Sequence, residues 1–159
     1  MAHDPEVLME RFLAVSRAIA GQLDFQSVLG QIAGEVYSLF QHDHMDVAII
    51  PPDRTDCCVA FEVGVSTKWG ENSDDPRPIA ESPIRDLLSG KVSHIVTADA
   101  WTDERFHFDK AFDAPIFDAN LHSRIHVPLQ VHGVVHGALN ISSHQKNKYS
   151  EDDVQTARQ

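Results

Sequence analysis

The segment from Ser123 to His144, SRIHVPLQVHGVVHGALNISSH, alternates apolar and polar residues on both sides of His132-Gly133. Side chains on a strand point alternately to the two faces of a sheet, so the pattern reads as two strands joined by a tight turn. Residue parity then sorts the faces. Ile125, Val127 and Leu129 share one face of the first strand, with Arg124, His126 and Gln130 on the other; on the second, Val135, Leu139 and Ile141 oppose His136, Asn140 and Ser142. One face is a core face. The other carries a guanidinium, an imidazole, an amide and a hydroxyl on adjacent strands. Two readings of it stand open: the solvated side of an antiparallel sheet, or the polar wall of a pocket roofed by other segments.

A chain of 159 residues with 42 % hydrophobic residues can bury one ordinary core. Its 13 Lys and Arg against 24 Asp and Glu leave a net charge of −11. Such a surface repels phosphate backbones and anionic lipid, so neither a nucleic-acid partner nor membrane contact is expected. No apolar run approaches a membrane span, and the start MAHDPEVLMERF lacks the layout of a signal peptide. A cytoplasmic location is expected. The two cysteines, Cys57 and Cys58, are adjacent and cannot build a disulfide framework; they read as structural thiols.

Asp4-Pro5 supplies an N-cap and a first helical position, and Leu8, Phe12, Val15 and Ile19 form one apolar stripe on a helix closed by Gly21. That stripe suits either a dimer seam or packing on the chain's own sheet. Asp24 opens a second helix through about Phe40. Met45–Pro52 and Cys57–Gly64 read as strands, the polar stretch Ser66–Pro78 as a loop, Pro83–Gly90 as a short helix and His94–Thr97 as a strand. The irregular segment Ala98–Asn120 carries Trp101, Phe106, Phe108, Phe112 and Phe117. Loops are normally polar, so this one is expected to fold onto something apolar. Ser150 with Asp153 opens a last helix, short enough at Gln159 to suggest that it continues in a longer protein. The element order predicts an α+β fold layered α/β/α. A central antiparallel sheet of five to six strands has the N- and C-terminal helices on one face, and short helices and a loop cover a ligand pocket on the other.

This order, with Val127-Pro128-Leu129, Gly133, the run Val135-x-Gly137-Ala138-Leu139 and Tyr149-Ser150-Glu151-Asp152-Asp153, resembles the GAF domain, the small-molecule sensor module of bacterial signalling proteins. The segment Ser82–Val96 is similar to the family's passage of short helix, glycine and strand. The resemblance implies a single GAF domain over 1–159, with an N-terminal helix over 1–22, a core over 24–149 and the start of a truncated signalling helix over 150–159. It further implies a ligand held between sheet and cover, and a homodimer through the terminal helices. Those helices would relay the signal to a covalently linked output domain: a histidine kinase, a transcriptional activator or a cyclic-dinucleotide enzyme.

Subfamily features narrow the ligand. The segment DAPIFDANLHSR has no Cys, which argues against covalent bilin. Asn147-Lys148, Tyr149 and Asp153 match the cyclic-nucleotide pattern only in part. The adjacent cysteines do not match the spacing of the free methionine sulfoxide reductases, so an enzyme is not expected. Close histidine pairs such as His122/His126 lie too far apart on a strand to share one zinc, although His126, His94 or His107 could serve as a haem axial ligand. Arg124 suits a carboxylate or phosphate through paired hydrogen bonds, or else faces solvent at a strand start. The expected ligand site is Arg124, His126, Asn140 and Ser142 under Trp101, Phe106 and Phe108, with the cofactor unknown. The alternatives are a dimerisation module without ligand, a haem- or cyclic-nucleotide-binding domain, and a redox enzyme.

Overall fold

A computed structural model describes residues 23–51, 55–65, 67, 77–110 and 113–157. The stripe Leu8, Phe12, Val15 and Ile19 and the expected first helix over 1–22 lie outside the described residues.

Helix α1 runs Leu23–Phe40. Leu29, Ala33 and Phe40 are buried and Val36 is half-buried, a helical spacing that turns one face inward. The strands are β1 (His44–Ile49), β2 (Asp56–Gly64), β3 (Arg77–Pro78), β4 (Ile95–Thr97), β5 (Ser123–Val131) and β6 (Val134–Ser143). They form one sheet in the order β3-β2-β1-β6-β5-β4, every neighbouring pair antiparallel. The β5–β6 turn falls on His132-Gly133 as its sequence requires: φ is 49° at His132 and 76° at Gly133, the left-handed pair that matches strand twist in a two-residue hairpin.

Helix α1 and the last helix, α4 (Glu151–Ala157), share one face of the sheet with Met45, Ile125, Val127, Ile141 and Tyr149. At the start of α4, Asp153 reaches back to accept from the Ser150 N–H at 2.7 Å and its hydroxyl at 3.0 Å. The opposite face is covered by α2 (Arg85–Leu88), the turn before it and α3 (Ala114–Asp118). There Ile50, Cys57, Ile84, Leu87, Leu88, Ile95 and Ala138 form a second cluster, and Ala100, Phe106, Ile116 and Leu121 a third beneath the aromatic segment. The segment expected to be irregular thus contains α3, started by Pro115 in its first turn.

One parity assignment is corrected. Val135 packs on the cover side with Ala138, not with Leu139 and Ile141. The register explains it: Gln130 pairs with Val135 but Leu129 pairs with Gly137, so His136 is an extra residue. An extra residue reverses the faces of everything on its far side.

Gly137 sits where β6 crosses Ala48 of β1, and a Cβ there would stand 2.0 Å from the Ala48 carbonyl oxygen. Gly137→Ala should therefore cost roughly 2 kcal/mol or more. Gly34→Ala, on a helix surface with nothing within 4 Å of the new methyl, should stabilise by about 0.5–1 kcal/mol. Urea denaturation of the two variants measures both signs in one experiment.

Candidate functional site

Antiparallel register lines up polar residues across the covered face of the sheet. Glu62, Asp46, Asn140 and His126 stand directly opposite one another on β2, β1, β6 and β5. One step along, His44, Ser142, Arg124 and Thr97 form a second row on β1, β6, β5 and β4. All but Glu62, the outermost, are buried.

The first row is a hydrogen-bonded chain. The Asn140 side-chain N–H donates to Asp46 Oδ1 at 2.7 Å, and Asn140 Oδ1 lies 2.7 Å from His126 Nδ1. An ionised carboxylate only accepts, so Asp46 fixes the orientation of the amide; the amide oxygen then fixes the imidazole, which must carry its proton on Nδ1. His126 Nε2 is left as a lone pair. It is buried without a hydrogen-bond partner, as is Asp46 Oδ2. Each such atom costs about 1–3 kcal/mol unless something in the cavity answers it. Burial, and then the Arg124 charge, hold His126 well below its usual pKa and therefore neutral. Burial pushes the Asp46 carboxyl upward, against the pull of His44, Arg124 and the Asn140 amide.

Arg124 is itself held within the protein. Its Nε donates to Ser142 Oγ at 2.9 Å, its Nη2 stands 3.8 Å from Asp46 Oδ2, and its guanidinium lies over the Phe106 ring at 5.6 Å. At the other end of the rows His44 Nε2 meets Glu62 Oε2 at 3.1 Å, and Thr67 donates its hydroxyl and N–H to the same carboxylate.

A cavity lies between these rows and the cover. Asp46, Arg124, His126 and Asn140 form its polar wall, while Ile84, Leu88 and Ile116 close it from above. Cys57, Val59 and Arg77 line the end near β2 and β3. About 50 Å³ is open to the centres of water-sized molecules, room for a few waters or a ligand of few heavy atoms.

Solved structures share this architecture over most of their length. The GAF domain/HD domain protein from Geobacter sulfurreducens has a TM-score of 0.66 at 17 % identity, with 84 % of each chain covered. The chain has the GAF fold. The free methionine-R-sulfoxide reductase from Neisseria meningitidis, in complex with its substrate, gives 0.65 at 16 % identity over 99 % of this chain and 86 % of that one. NreA from Staphylococcus aureus, mutated in its nitrate binding site, gives 0.60 at 15 % over 84 % and 97 %. No protein-family model matches the sequence, and no curated protein matches it. Regulatory modules and an enzyme share the GAF fold, so the site has to speak for itself.

Of the residues singled out by sequence, the GAF fold brings Arg124, His126 and Asn140 to the cavity wall. Ser142 lies on the same face but serves by holding Arg124. Phe106 is buried beside the site, stacked 6.4 Å from the His126 ring. Trp101 and Phe108 do not roof the cavity. Trp101 stacks on His122 at 4.7 Å and donates to the Leu121 carbonyl, and Phe108 is 77 % exposed with its edge on Phe117. Lys148 and Asp153, which match part of the cyclic-nucleotide pattern, engage the Gln41 carbonyl and Ser150. Sequence reasoning missed Asp46 and Arg77, and expected the cover without naming Ile84, Leu88 and Ile116 in it.

Two outcomes follow from these environments. Burial pushes the Cys57 thiol up to about 12, so almost no thiolate forms at neutral pH. Native labelling of Cys57 by a maleimide should be slower than in urea by orders of magnitude. His126 gives a pH signature. Above pH 6.5 neither the folded nor the unfolded chain protonates it; below, the unfolded chain takes up a proton that the fold refuses, so stability falls with pH. His126→Gln should reduce that slope by up to about 1.4 kcal/mol per pH unit between pH 6 and 5, read from urea midpoints.

Proposed function

We propose that this chain is a regulatory sensor that binds a small polar molecule in the cavity and relays occupancy through the helices on the far side of the sheet. The observation that carries the reading is the buried chain Asp46–Asn140–His126, ending in an unanswered lone pair on a residue that lines the cavity. A fold that needed only stability would fill these positions with apolar side chains. The regulatory GAF neighbours, among them a sensor histidine kinase domain from Sinorhizobium meliloti, support the same reading.

The relay has a short path. His126 and Asn140 face the cavity, and their chain neighbours Ile125, Val127 and Ile141 pack beneath α1 and α4. A ligand that moves His126 therefore moves residues under Val154 of α4. The output is a histidine kinase, a transcriptional activator or a cyclic-dinucleotide enzyme attached to the terminal helices. Val28 and Leu39 are exposed on α1 near the half-buried Ile32, an apolar stripe that supports a homodimer through helices. The high Cys57 thiol pKa argues against thiol chemistry at that residue.

Native mass spectrometry of the purified chain and thermal shifts with a panel of small polar metabolites test the reading. Bound mass or a raised Tm is expected in the wild type and should be lost in Ala48→Leu, which fills the cavity from β1. A wild type that carries nothing and responds to no compound leaves dimerisation alone as the function.

A further inference from the structure

Buried atoms without hydrogen-bond partners on two cavity-lining residues select a ligand class. Arg124 first suggested an anion. The structure instead puts that guanidinium against Ser142, Asp46 and Phe106, so its positive charge has a carboxylate and a ring beside it. Among the described residues lining the cavity, the buried polar atoms without a hydrogen-bond partner are His126 Nε2 and Asp46 Oδ2, the latter with only the 3.8 Å ion pairs to Arg124 Nη2 and His44 Nδ1 beside it. Both atoms are acceptors: Nε2 because Nδ1–H donates to Asn140 Oδ1, Oδ2 because the Arg124 guanidinium 3.8 Å from it favours the carboxylate form. An oxyanion without a proton brings only further acceptors to these two atoms.

We propose that the cavity takes a small N–H donor, an amide or amine of few non-hydrogen atoms, hydrogen-bonded to His126 Nε2 and Asp46 Oδ2, and that it rejects oxyanions. The proposal rests on the sensor reading of the cavity and names its ligand chemistry. The space of about 50 Å³ caps the size of whatever part of the ligand enters, and Ile84, Leu88 and Ile116 leave its far side apolar. A short aliphatic amide meets both demands: donors toward the sheet, methyl or methylene toward the cover. A site built to receive N–H groups discriminates strongly against an isostere that lacks them, because its own buried acceptors then stay unpaired.

Acetamide and nitrate are matched probes, similar in size but opposite in hydrogen-bonding sense. The full chain, labelled with ring-¹⁵N histidine, is titrated with each at pH 7.5 and the His126 ring resonances are followed. Acetamide should shift Nε2 while the ring stays the neutral Nδ1–H tautomer, and nitrate should bind at least tenfold more weakly. His126→Phe, which removes the acceptor but keeps a ring, should weaken acetamide at least tenfold; the wild-type spectra carry the test even where that variant folds poorly. Nitrate binding with protonation of Nε2 would overturn the donor assignment and leave the sensor reading standing. Acetamide binding that His126→Phe does not weaken would overturn it equally. No response of the His126 ring to either probe would overturn the donor assignment, and the metabolite panel with Ala48→Leu then decides the sensor reading separately.

Discussion

The antiparallel register of β1 with β6 is the constraint on which the rest of the molecule depends. It puts Asp46 opposite Asn140 and His44 opposite Ser142. Because β5 pairs with β6 on its other side, the same rows extend to His126 and Arg124. A shift of one residue in either pairing would turn Ile141 and Ile125 to the cavity and Asn140 and His126 to the helices. Each strand would then bury polar groups against α1 and α4 with nothing to receive them. The register is thus enforced from both faces at once. Gly137 enforces it locally, since only a residue without a side chain fits beside the Ala48 carbonyl.

Buried charge at this site is costly, and the energetics separate what holds the fold from what the site is for. Arg124 and Asp46 are each almost fully buried, with 3.8 Å between Nη2 and Oδ2. A separated buried pair of this kind adds little net stability, because desolvation of both ions consumes most of their attraction. The stability comes from the apolar layers, above all on the other side, where Ile125, Ile141 and Val154 are wholly buried, and also under the cover, where Leu87, Ile116 and Leu121 are. The polar rows therefore sit on a sheet already held in place by its helix face. That division lets His126 remain neutral and half-satisfied without unfolding the chain.

Much of this was legible in the sequence because strand parity is a two-fold code with few ways to go wrong. Ile125, Val127, Leu139 and Ile141 fall on the helix face and Arg124, His126, Asn140 and Ser142 on the other, as their parity requires. Parity failed at Val135 because a bulge is a property of pairing: His136 becomes the extra residue only once Leu129 is aligned with Gly137. Asp46 was missed for a related reason. Within MDVAIIPP it looks like a single polar residue in an apolar strand, and only the register beside Asn140 gives it a role. The aromatic segment shows a different limit. Its composition announced burial, yet Phe106 alone of Trp101, Phe106 and Phe108 packs against the site; Trp101 found a partner in His122 and Phe108 faces outward. An irregular segment has no period from which its inward residues can be read.

Arg124 shows why the chemistry of a site cannot be taken from its most conspicuous charge. On the sequence it is the natural anchor for an anion. In the fold it spends its hydrogen bonds on the wall itself, its Nε on Ser142 and its charge toward Asp46. What the wall then offers is decided by the weakest donor in the chain. Asn140 has one amide; its N–H goes to Asp46, so its oxygen must face His126, and the imidazole proton follows. Three side chains on three strands thereby act as one group whose free end is a lone pair. Replacing Asp46 by Asn would let the amide turn round, hand the ring proton to Nε2 and convert the wall from acceptor to donor without altering its shape. The hydrogen-bonding sense of this cavity wall is thus set by the carboxylate at the far end of the row.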